Sequence, residues 1–316
     1  MKKIFFLILF FLFSVYSGIF FGAKIYTPFE ILNISETEKI ILLKIRIPRV
    51  LCAFTVGAGL SISGVVLQSV LKNPLSESYT LGISGGASFG VAIGTIIGRS
   101  YSIPFFSFTG AIFSLFLILL ITLIKKLSSS SVILAGISLN FIFSSLVLFL
   151  ISSFRFEKFY STVLFLLGDL SSFSEKMLFY SGILIFLIFV FFFLSSKIYD
   201  IISFDEDKAK TLGINVNFEK NLTYFLSCLI SSLCVCLSGI IGFVGLIVPH
   251  IIRGLFGSSH RKVIPFSFLF GGSFLIFCDT ISRLILRPIE LPIGVITGFF
   301  GGIFFLSLLL KVEKIW

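Results

Sequence analysis

Apolar stretches of about 20 residues, the length a helix needs to cross a bilayer, recur along this chain with short polar breaks between them. They predict ten helices, near residues 4–21, 49–71, 81–98, 104–124, 132–153, 177–196, 221–241, 243–256, 263–286 and 291–310. The third and eighth are short and interrupted by glycine or proline, and the loops adjoining them are only a few residues long. The longest polar break is 197–221. The pattern predicts an all-α chain: one polytopic transmembrane domain over residues 1–316, with about ten membrane helices and no separate soluble domain.

The first apolar run follows Lys2 and Lys3, as a signal peptide would. It is longer than a usual signal core, however, and no small-x-small cleavage site follows it. It is expected to stay as a first span that starts in the cytoplasm. An even number of spans then puts both termini inside. On that topology twelve lysines, among them Lys2, Lys72, Lys208 and Lys262, fall inside, and Lys24, Lys39, Lys44, Lys158 and Lys176 fall outside. This split obeys the positive-inside rule.

Arginine breaks the pattern. Arg253 and Arg261 fall inside, whereas Arg46, Arg49, Arg99, Arg155, Arg283 and Arg287 fall outside. A planar, permanently charged fork suits bidentate pairing with carboxylates. An acidic protein partner docking outside would account for the excess, and so would anchoring to lipid phosphate. Asp279 and Arg283, four residues apart, also share a helix face and can pair with each other.

Composition narrows the function. Hydrophobic residues make up 57% of the chain and charged ones 13%, about half the share in soluble domains. The formal charge of +10 is scattered singly or in pairs between apolar runs, which excludes a nucleic-acid surface. No P-loop is present, and no HExxH, GxSxG or Cys/His cluster points to catalysis. The five cysteines fall inside apolar runs and read as small buried hydrophobes. Ionisable groups are scarce in mid-span, with only His250, Asp279 and Arg283 close, each near a span end. A carrier coupled to protons or sodium usually buries such groups along its path. If the protein works uphill, its energy must come from another chain.

The polar break holds Asp205, Glu206 and Asp207, then Lys208 and Lys210, then Leu212 and Gly213. Acids before bases suit a short helix starting near Asp205, with Gly213 as its stop. A second turn over Asn215–Lys220 would complete a protruding knob; the alternative is a solvated loop.

Three blocks carry a resemblance: "RIPRVLCAFTVGAGLSISGVVLQSVLKNPLSESYTLGISGGASFG" (46–90), "SGIIGFVGLIVPHIIRGLFGSSHRKVIP" (238–265) and "DTISRLILRPIELPIGVITGFFGGIFFLSLLLK" (279–311). They resemble the FecCD-type permeases, membrane subunits of type II ABC importers for iron chelates, haem and cobalamin. The resemblance implies a ten-helix permease in the bacterial cytoplasmic (inner) membrane, paired with a second copy or a close paralogue. It implies separate ABC ATPase subunits that carry ATP and Mg, so this chain needs no cofactor. A soluble binding protein would deliver substrate outside.

It also implies roles for individual residues. Arg46, Arg49 and Arg283, with Arg287 a turn further on, would receive carboxylates of the binding protein. Asp205, Lys208, Leu212 and Gly213 would form the part that couples to the ATPase. Asn73 and Leu75 of "KNPL", and Ser129 and Ser130 of "SSSS", would narrow the pathway at its cytoplasmic end. His250 and the glycines of "LGISGGASFG" read as structural. The short motifs "SISG" (61–64) and "CLSG" (236–239) hint at two related halves of opposite orientation.

Without side chains fit to strip water from a bare ion, the pathway is expected to pass a metal already enclosed by a chelator. An iron-siderophore is the leading cargo and haem or cobalamin the alternatives. A secondary carrier for an apolar solute is the rival within transport. A membrane enzyme or a structural subunit is the rival outside it.

Overall fold

Every regular element among the described residues is helical. The computed structural model describes residues 2–22, 24–26, 35–98, 102–125, 127–153, 163, 165–171 and 173–312. The helices are α1 (Lys2–Phe20), α2 (Glu36–Ile40), α3 (Ile47–Leu71), α4 (Ile83–Ile97), α5 (Ser102–Lys125), α6 (Ser129–Ser153) and α7 (Glu175–Leu194). They continue as α8 (Ser196–Phe204), α9 (Glu206–Thr211), α10 (Val216–Ser238), α11 (Val244–Phe256), α12 (His260–Leu284) and α13 (Ile293–Val312). Seven described helices are long and apolar enough to cross a membrane, and the shorter apolar helices Ile83–Ile97, Val244–Phe256 and Ile293–Leu308 match the remaining predicted segments.

Helix α3 is the axis: 20 of its 25 residues are buried. Its neighbours α10 and α12 run antiparallel to it. Ser63 reaches the Ser227 carbonyl while Cys234 reaches that of Val56. Arg49 meets Asp279 at one end while Ser69 meets His260 at the other. Such packing needs small residues where backbones touch. A Cβ on Gly64 would stand 1.9 Å from the carbonyl oxygen of Gly245.

Two extensions escape sequence patterning. Before α3, Ser35 and Glu38 form a capping box that starts α2, and a π-helical turn, Ile41–Arg46, joins α2 to α3 without a break. After α7, the chain continues as α8, whose buried Ser196, Tyr199 and Ile202 recur every third residue on one face.

The short helices α4 and α11 are half-helices, and the chain enters them from opposite ends of the bundle. Lys72 ends α3 in the left-handed conformation (φ 51°). Asn73 then accepts from the Leu75 amide at 2.9 Å, and the chain doubles back until the Ser78 hydroxyl meets that of Ser63. Ser63 lies eight residues before Leu71, about 12 Å along the helix, so α4 starts deep in the bundle. In the second half, α10 ends at Gly239, the chain doubles back from the other end, and α11 starts after Phe243 (φ 70°). The two re-entrant segments meet, the Ile241 amide donating to the Tyr79 hydroxyl at 3.3 Å. This is an inverted pair of the kind that transporter folds build from internal repeats.

Candidate functional site

Charged and polar side chains gather at the two ends of α3. At its first end Arg46, Arg49 and Arg283 are only 7%, 9% and 4% exposed. Arg49 bridges two acids, with Nη2 at 2.9 Å from Asp279 Oδ1 and Nη1 at 2.6 Å from Glu290 Oε2. Arg283 pairs with Asp279 Oδ2 at 3.0 Å, across the one-turn spacing visible in the sequence.

The remaining donors of Arg283 and those of Arg46 turn to the end of α1. Arg283 donates to the carbonyls of Gly18 and Phe21, each at 3.0 Å. Arg46 donates to Ile19 at 2.9 Å, Phe20 at 3.1 Å and Lys24 at 2.6 Å. Its guanidinium also lies 4.8 Å from the Tyr26 ring centroid. A helix leaves its last carbonyls without partners, and two guanidiniums supply them here. The end of the helix dipole carries partial negative charge, which favours these cations. Arg287 is exposed, and Arg99, Arg155 and Lys158 lie outside the described residues. Beside Arg49 and Glu290, a cavity of about 210 Å³ also takes in Asp169.

The other end of α3 carries the knob. Asp205 caps α9, accepting from the Asp207 amide at 2.9 Å and the Lys208 amide at 3.4 Å. Gly213 ends the turn at φ 82°, with open space where a Cβ would point. The second turn expected over 215–220 is the opening of α10, capped by Asn215. Ile202, Ala209 and Val216 form a small core of their own, packed by Ile198, Ile201 and Ile214. Phe204, Leu212 and Phe218 stand outside it, 78%, 67% and 60% exposed. Glu206 ties the knob to the bundle, at 2.8 Å from Lys220 and 3.6 Å from Lys72. Burial works against its charge, but hydrogen bonding to Lys220 and the charges of Lys220 and Lys72 hold its carboxyl below the usual range.

The residues assigned to the gate fall at this same end. Asn73 shapes the turn after α3 and holds Leu75, which is 58% exposed. Ser129 opens α6 and hydrogen-bonds to Tyr224 of α10, while Ser130 is exposed beside it. Both described chain ends lie here as well: Lys3 donates to the Leu255 carbonyl at the end of α11, and α13 runs toward this end from Ile293, which bonds to Gly168 at the other. His250 is exposed on α11, its ring edge-on to Phe304 at 5.5 Å.

Two features went unread in the sequence. Glu77, taken there as part of a short loop, sits at the junction of the re-entrant segments and accepts from the Phe243 amide at the start of α11. It adds a carboxylate beside the start of α11 to the few ionisable groups, His250, Asp279 and Arg283, expected close to the spans. No sequence signal marked it, since Glu77 is one polar residue among several in the return Lys72–Thr80. The second feature is a polar bridge of Asp200, His260 and Ser69, for which spacing gave no sign.

Comparison with known proteins agrees with this geometry. The model of the FecCD transport family matches residues 6–311. A Helicobacter pylori protein named "Probable iron chelatin transport system permease protein" is 36% identical, over 87% of this chain and 84% of its own length. The "Molybdate import system permease protein MolB" of Haemophilus influenzae is 33% identical, over 93% of this chain and 88% of its own. A solved inward-facing ABC transporter described as metal-chelate type superposes with a TM-score of 0.86 at 30% identity, covering 98% of this chain and 99% of that one. Two half-helices entered from opposite ends, a capped knob and a matched model over nearly the whole length lead to one conclusion: the chain belongs to the FecCD transport family.

Proposed function

We propose that this permease forms the membrane pathway of an ABC importer for an iron-siderophore or a similar metal chelate. The knob faces the cytoplasm and seats in an ATPase subunit, and the end with the arginines faces a substrate-binding protein outside. The observation that carries the reading is the knob. Three large apolar side chains, Phe204, Leu212 and Phe218, are left exposed on a unit with its own small core. Exposed apolar groups held on a firm unit, with charged groups around them, suit docking to a protein. The distribution of lysines supports this sidedness. The cargo class draws support from the iron-chelatin relative and the metal-chelate type structure.

At the outer end the binding protein meets Arg287 and Glu290 first. The carboxylate of Glu290 is 46% exposed and already holds Arg49, so a partner carboxylate reaches that guanidinium by taking Glu290's place. The test is to reconstitute the chain with its ATPase subunits and binding protein in proteoliposomes and measure uptake of a ferric siderophore, haem, cobalamin and molybdate. Uptake of the ferric chelate that needs both ATP and the binding protein is expected. Uptake by the permease alone, driven by an ion gradient, would sink the ABC reading. Uptake of molybdate alone would sink the cargo assignment and leave the rest.

A further inference from the structure

Beneath the knob, a cavity of about 630 Å³ separates α8 from the end of α3 and the gate turn; its lining includes Lys72, Asn73, Asp200, Phe204, Arg253 and His260. One polar bridge crosses its wall. Asp200 Oδ1 on α8 accepts from the His260 backbone amide at 2.8 Å and lies 2.6 Å from His260 Nδ1. His260 Nε2 meets the Ser69 hydroxyl on α3, which also lies 2.9 Å from the Val65 carbonyl. His260 and Ser69 are 3% and 6% exposed. The order hydroxyl, imidazole, carboxylate is that of a hydrolase relay. Here, however, the serine is buried in the last turn of α3 and its hydroxyl lies against a backbone carbonyl, so it presents no nucleophile.

The bridge joins parts that have reason to move together. Tyr199, beside Asp200, is fully buried and its hydroxyl is 3.1 Å from that of Thr223, which fixes α8 to α10. Ser69 lies one turn before Lys72, and Asn73 and Leu75 follow directly. Apolar helix contacts allow small sliding, and the ion pair of Lys72 with Glu206 is a partly exposed one of the kind worth little. A buried, directional bridge resists sliding.

We propose that His260 is a positioning residue for transport: it holds α8 through Asp200 and the last turns of α3 through Ser69, so that the knob and the gate turn move as one body. The proposal rests on the reading of the knob as the ATPase contact. Displacement of the knob by the ATPase subunits is then delivered to Asn73 and Leu75 rather than lost in slip between α8 and α3.

The experiment uses the complete transporter in proteoliposomes and reads substrate taken up per ATP hydrolysed. His260→Ala and Ser69→Ala should assemble with the ATPase subunits and hydrolyse ATP, with uptake per ATP lowered about tenfold, within the range of ordinary coupling energies. His260→Gln, which can still donate to Asp200, should recover part of the loss. A merely structural role would change assembly or heat stability and leave that ratio alone. Unchanged uptake per ATP in both alanine variants would overturn the proposal. Should His260→Ala fail to assemble, Ser69→Ala removes only one hydroxyl and decides the matter. Spin labels at exposed Phe204 and Leu75 of the otherwise native chain give an independent reading: their separation should stay constant through the ATP cycle, and a change overturns the proposal. Undiminished ATPase binding by Leu212→Glu would instead remove the knob reading on which the proposal stands.

Discussion

Arg283 answers to two masters, a carboxylate on its own helix and the carbonyl end of α1. Replacing it with alanine leaves Asp279, which is fully buried, with Arg49 alone, and strips two carbonyls of their donors. Breaking one partner from a buried pair costs about 3–5 kcal/mol. Arg283→Ala should therefore lower the midpoint of thermal unfolding in detergent, and a midpoint equal to wild type would refute the capping role. Arg287 is the contrasting case, exposed at the same end. Arg287→Glu should keep that midpoint and weaken association with the binding protein, more so at low salt because exposed charges are screened. Unchanged affinity at low salt would exclude Arg287 from docking. Charge reversal at Arg46 or Arg49 tests both properties at once and separates neither, since both residues are tied into the fold.

At the scale of elements, chain-order patterning read the long helices well and also the shortness of α4 and α11, because glycine and proline interrupt those runs. It missed what has no apolar period of membrane length. The six-residue π turn before α3 looks like a span edge, and α8 looks like the start of a polar loop although one of its faces is buried. The capping by arginine was equally hidden: the acceptors of Arg46 are backbone carbonyls 22 to 27 residues away, which no side-chain motif marks. Neither could Glu77 be placed, because its partner is the amide of Phe243. What the half-helices require is close approach. With the Gly64 Cβ direction pointing into the Gly245 backbone, Gly64→Leu should push α11 off α3 and open the junction of the re-entrant segments. Loss of folded permease from the membrane is the expected result. Normal insertion with normal transport would mean that the two backbones do not meet.

At the scale of the whole molecule, the knob is fixed to the helix bundle by a few polar contacts. Glu206 is the electrostatic part of that attachment, set between Lys220 and Lys72. Burial disfavours its charge, yet hydrogen bonding to Lys220 and the two ammonium charges outweigh burial, so the folded carboxyl titrates below its ordinary 4.5. A carboxyl with a lowered value in the folded state adds stability that is complete above the unfolded value and is lost as pH falls through the folded one. The knob should thus stay fixed at neutral pH and loosen on acidification below about 4.5, read as amide exchange across α9 after correction for intrinsic rates. Asp207 is also held low, chiefly by its hydrogen bond to Lys210, so acid acts on more than one group and a control is needed. Glu206→Gln supplies it: exchange in α9 should be faster at neutral pH and respond less to acid, while the Asp207 contribution remains. If the variant loosened on acidification as much as the wild type, the attachment would not run through Glu206. The bridge of Asp200, His260 and Ser69 would then be left as the principal polar link between the knob and the end of α3.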